Sequence, residues 1–95
     1  MATNPYYELV EQIITKQATV LGLPVAIRRA RNVAGLEIDD AGKVTAMPAN
    51  AIPILEGIVE QYKALSGSMG VEFCKQASAV TRQAHADLLL PTILS

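Results

Sequence analysis

The sequence predicts a mainly helical α+β domain: helix, short helix, small β-hairpin and two further helices, with the helices packed around the hairpin. Three observations predict it. Apolar residues recur at spacings of three and four through residues 5–21, 51–66 and 69–90, the stripe of an amphipathic helix in each case. Residues 36–46 switch instead to strict alternation around Asp39-Asp40-Ala41-Gly42, a strand–turn–strand pattern. The hydrophobic content of 51% is aliphatic and alanine-rich, with four aromatic residues and no Trp, which suits close packing of helices.

In the first helix, Asn4 is placed to cap and Pro5 to occupy the first position, where its missing N–H has no partner to lose. Glu8 and Glu11 lie near the positive end. Tyr6, Leu9, Val10, Ile13, Ile14, Ala18 and Leu21 form a broad stripe opposite Thr15, Lys16 and Thr19, so the helix should run about four turns to Leu21 and touch more than one neighbour. Gly22 suits the left-handed residue just past a helix end, and Pro24 the start of the next helix.

Residues 24–34 set Ala26, Ile27, Ala30, Val33 and Ala34 on one stripe, with Arg28, Arg31 and Asn32 away from it and Arg29 near its edge. Gly35 is the expected stop. A strand over residues 25–33 competes with this reading. It would place two arginines on its apolar face, and Ala and Arg form helix better than strand. In the hairpin, Leu36 and Ile38 alternate with Glu37 and Asp39, and Val44 and Ala46 with Lys43 and Thr45. Such short strands must lie against helices or another copy of themselves.

Pro48 and Asn50 mark a loop and a cap before a third helix over residues 51–66, striped by Ile54, Leu55, Ile58, Val59, Tyr62 and Leu65. Gly57 inside it weakens the helix by roughly 1 kcal/mol relative to Ala. Either a close neighbour or neutral tolerance accounts for it. Gly67 ends this helix and Ser68 caps the last one, expected from Met69 to Leu90 and stopped by Pro91. Its inner row is Gly70, Phe73, Cys74, Ala77, Val80, Thr81, Ala84 and Leu88, and its small members let another backbone approach closely. The tail through Leu89, Ile93 and Leu94 is strongly apolar, and either folds back on its own core or docks on a second chain.

Ninety-five residues make one domain with a thin core. Apolar content this high implies surplus surface to be shared between subunits. A net charge of −1 implies no general attraction to nucleic acid or anionic lipid. The amino terminus lacks a basic-then-apolar leader, no apolar run approaches a membrane span, and the expected location is the cytoplasm.

No catalytic residue, metal or cofactor is expected. Cys74 and His85 share a helix face but stand eleven residues apart, roughly 16 Å along the axis, far beyond the reach a nucleophile and base require. One Cys and one His cannot complete a zinc site. Glu37, Asp39 and Asp40 offer too few oxygens for a hard cation, and Glu56 and Glu60 face away from the apolar stripe. Arg28, Arg29 and Arg31 are the candidate partner-binding residues, because guanidinium grips phosphate or carboxylate in bidentate fashion. The plainer alternative has them offsetting a helix dipole and pairing with Glu37, Asp39 or Asp40.

The run from Gly35 to Val44 is similar to the strand–turn–strand of roadblock-type dimer modules. Those continue with further strands, whereas only helices follow here, so that likeness is set aside. The wider pattern of Leu21-Gly22-x-Pro24, Ala26 and Ala30, Gly35-Leu36, Asp39…Gly42-x-Val44 and Tyr62…Gly67, over residues 9–75, resembles small helical modules attached to prokaryotic sensory and regulatory proteins. The resemblance implies a regulatory or interaction module without catalysis of its own.

The expectation is therefore a non-enzymatic module that self-associates as a homodimer. Its interface would be Phe73, Ala77, Val80, Ala84, Leu88, Leu89, Ile93 and Leu94, with the arginine helix facing a protein partner. A nucleic-acid-binding regulator using the arginines and a small-ligand-binding domain are the alternatives.

Overall fold

The structure is a computed structural model that describes residues 5–84 and Leu94. Its elements are α1 (Pro5–Leu21), α2 (Leu23–Ala30), β1 (Glu37–Ile38), β2 (Val44–Ala46), α3 (Ile52–Ser66) and α4 (Ser68–Ala84). Helix α1 is the hub and packs against α2 and α4. Helix α3 packs against α4 and α2, and β2 touches α1. The fold class and element order follow the periodicity of the sequence.

Leu9, Val10, Ile13 and Ile14 of α1 are buried as their stripe predicts, and so is Gln17, which carries the same spacing onward. Gly22 ends α1 at φ 86°, its N–H bonded to Ala18 O at 2.9 Å. Residues 24–34 are helical only in part. Helix α2 stops at Ala30, because the N–H groups of Asn32 and Val33 bond three residues back, to Arg29 and Ala30, rather than four. This tightening leaves Ala34 exposed while Val33 remains in the core. Val33 also explains Gly57. A Cβ there would lie 3.2 Å from Val33 Cγ1, so the missing side chain makes room for a valine rather than a crossing helix.

The strands pair antiparallel with Glu37 opposite Ala46 and Ile38 opposite Val44, so Thr45 is the extra residue of a bulge. Asp39 Oδ1 accepts the N–H groups of Ala41 and Lys43, both at 2.9 Å, as a turn aspartate does. Side chains tie down both edges of this short ladder. Arg31 donates to Ile38 O, and the Val44 N–H donates to Glu11 Oε2 at 2.9 Å.

Asn50 is not the cap of α3. That position falls to Ala51, which is buried in the core and makes no side-chain cap bond. Pro53, in the second helical position, has no N–H for a capping side chain to accept. Gly67 ends α3 at φ 62°, and α4 begins at the next residue. A Cβ on Gly70 would run into the Tyr62 carbonyl, so α3 and α4 touch backbone to backbone there, as the small residues of the last helix predict. Cys74, Ala77 and Thr81 continue the buried row, joined by Ser78, whose hydroxyl bonds back to Lys75 O at 3.0 Å. Leu94 is fully buried in the same core, and its carbonyl accepts from Arg82 Nη1 at 3.4 Å. The Asn4 cap, the continuation of the last helix to Leu90 and the Pro91 stop lie outside the described residues.

Candidate functional site

Two regions carry polar groups in unusual settings. The first is interior. Gln17 Nε2 donates to Gly70 O at 2.9 Å and to Cys74 Sγ at 3.6 Å, while its Oε1 is buried without a hydrogen-bond partner. The Tyr62 hydroxyl donates to Ala26 O at 2.7 Å. Burial pushes the Cys74 thiol up to about 11, against the smaller lowering effect of the Gln17 hydrogen bond. Burial raises the Tyr62 hydroxyl as well, and the neighbouring Cys74 adds to it. A buried thiol held protonated is an inert core group rather than a nucleophile. His85 lies outside the described residues. Among the described residues, no three His, Cys, Asp or Glu side chains gather as metal ligands would.

The second region is a groove of about 500 Å³ along α2. Leu23, Pro24 and Ile27 form its apolar side, and Arg28, Arg31, Asn32 and Asp40 its polar side. Helical spacing produces this: position 24 is three and four residues from 27 and 28, and these are four and three from 31, so the four positions neighbour one another on the helix surface. Arg31 is fixed in place. Its Nε and Nη2 donate to Ile38 O at 3.1 and 2.9 Å, and Nη2 also meets Asp40 Oδ1 at 3.0 Å. Arg28 is exposed and makes no hydrogen bond or ion pair among the described residues. Arg29 is half-buried and does not line the groove, so the structure brings together two of the three candidate arginines. Asp40 supplies the acid paired with an arginine, while Asp39 is engaged in the turn.

The structure describes the side chains of four of the expected interface residues. Phe73 is half-buried beneath Lys16, whose Nζ lies 5.7 Å from the ring centroid. Ala77 and Leu94 are buried within their own chain, and Ala84 is exposed. The side chain of Val80, and Leu88, Leu89 and Ile93 altogether, lie outside the described residues. Among the described residues, the exposed large apolar side chains are Val20 at 55%, Leu23 at 39%, Leu65 at 37% and Met69 at 57%. Each pair brackets a helix-ending glycine, Gly22 or Gly67, and that bracketing was the signal in the sequence. The contacts from Gln17 to Gly70 and from Tyr62 to Ala26 bring both glycine turns to the same end of the molecule.

No helix among the described residues is long and apolar enough to cross a membrane. The chain matches no protein-family model, no curated protein and no solved structure.

Proposed function

We propose that the chain is a non-enzymatic interaction module that self-associates, with Val20, Leu23, Leu65 and Met69 as the shared surface. The observation that supports this reading is the gathering of these four exposed side chains at one end. An interior that takes in Ala77 and Leu94 leaves them as the large apolar remainder among the described residues. An isologous contact through that end covers four such side chains on each protomer at once. At roughly 1–2 kcal/mol for each half-exposed aliphatic side chain covered, less the cost of association, the dimer is one of micromolar affinity or weaker. That suits a regulatory contact which forms and breaks with concentration. A cytoplasmic setting belongs to the same reading.

Sedimentation velocity tests it. The weight-average mass should climb from 10.1 kDa toward twice that value across the micromolar range, and Met69→Glu should hold it at the monomer. A wild-type monomer throughout that range overturns the proposal. So does a dimer that survives Val20→Glu and Met69→Glu together.

A further inference from the structure

The groove along α2 shares Leu23 with the apolar end, but the rest of its lining and its charge are not used by self-association there. Its length from Pro24 to Arg31 is seven residues, about 10 Å at the helical rise, which is the extended length of a chain of some eight carbons. Its volume of about 500 Å³ falls in the range of small-molecule sites. One flank offers Leu23, Pro24 and Ile27 to a hydrocarbon tail. The other ends in two guanidinium groups and one carboxylate, a local surplus of one positive charge.

The ion pair already present shows how a carboxylate sits there. Asp40 Oδ1 meets Arg31 Nη2 at 3.0 Å, yet the Asp40 side chain is fully exposed, so it is a weakly held counter-ion. The backbone carbonyl of Ile38 holds the Arg31 guanidinium in position, whatever Asp40 does. Arg28, one turn away on the same face, has no counter-ion among the described residues.

We propose that this groove binds a small amphipathic monocarboxylate, the tail lying on Leu23, Pro24 and Ile27 and the carboxylate against Arg28 beside the fixed Arg31. A single negative charge matches the surplus. A dianion such as a phosphate monoester meets the Asp40 carboxylate as well and is disfavoured.

The test is a methyl-resolved NMR titration with octanoate below its micellar concentration. Octanol serves as the uncharged tail and acetate as the tailless charge. Octanoate should give saturable shifts at the Leu23 and Ile27 methyls, with octanol weaker by about ten-fold or more, the scale of one charge-assisted hydrogen bond, and acetate weaker by at least as much for want of a buried tail. Arg28→Gln should weaken octanoate by about ten-fold, Arg28→Lys by less, and Asp40→Asn should tighten it about two- to five-fold. Arg28 is exposed and makes no hydrogen bond or ion pair among the described residues, so its variants test binding, and an unchanged urea midpoint separates that from stability. The proposal is overturned by octanol binding as tightly as octanoate, by indifference to Arg28→Gln, or by shifts centred on Val20 and Met69. A titration without saturable shifts overturns it equally. Because Leu23 belongs to both surfaces, the titration is repeated on Met69→Glu, which leaves the groove lining intact, so it succeeds or fails separately from the sedimentation experiment.

Discussion

Where α1, α2, α3 and α4 meet, the polar contacts are inside. Gln17 reaches Gly70 O at 2.9 Å and Tyr62 reaches Ala26 O at 2.7 Å, and all four residues are buried. On the faces that α2 and α1 share with the hairpin they are outside. Arg31 meets Asp40 at 3.0 Å and Lys43 meets Glu11 at 3.8 Å, with Asp40 fully exposed and Lys43 largely so. Similar hydrogen-bonding groups thus do different work at the two depths. Breaking an interior contact strands a partner away from water, whereas breaking an exterior one hands both partners back to it. The junction is therefore where stability resides, and the α2 face is where side chains remain free to meet something else.

The sharpest break in that contrast is Gly70→Ala. The new methyl meets the Tyr62 carbonyl, so α3 and α4 must separate, and urea denaturation should show a loss of about 3 kcal/mol. Next is Tyr62→Phe, which removes the hydroxyl bonded to Ala26 O and should lower stability by about 1–2 kcal/mol in the same assay. A pH series sharpens the comparison further. The Cys74 thiol is raised by burial to about 11 in the fold, so both states keep the proton below the unfolded value near 9. Above it the unfolded chain ionises first, and stability falls between pH 9 and pH 11. By pH 10 the loss should be roughly 1 kcal/mol, and Cys74→Ala should flatten the profile between pH 9 and pH 10, above which the raised Tyr62 hydroxyl adds a fall of its own. Gln17→Met tests the orphaned Oε1: an apolar side chain of similar length removes an unpaired buried acceptor, and its midpoint should stay within about 1 kcal/mol of wild type. The smallest effect belongs to the exterior. Asp40→Asn should change stability by less than about 0.5 kcal/mol, and a larger loss would show that the α2 face is structural after all.

Much of the fold was legible because its signals are local. The stripes of α1 and α3, the glycine stops at Gly22 and Gly67, and the aspartate turn at Asp39 each depend on a few neighbouring residues. The end of α2 was not legible, since the switch to three-residue hydrogen bonds after Ala30 accompanies the packing of Val33 over Gly57, 24 positions further on. Arg28 and Arg31 were marked by their chemistry. Helical spacing also set them apart from Arg29, whereas the pairing of Arg31 with the Ile38 carbonyl required knowing where the hairpin lies.

The sequence by itself determined the order of helices and strands and the close approach at Gly70, because periodicity and the absence of a side chain are carried by the residues themselves. Only the tertiary structure decided that Gln17 and Ser78 go inside while Val20, Leu65 and Met69 stay out. Burial belongs to whatever packs over a residue. The two glycine turns end their helices before any neighbour can cover the apolar side chains beside them.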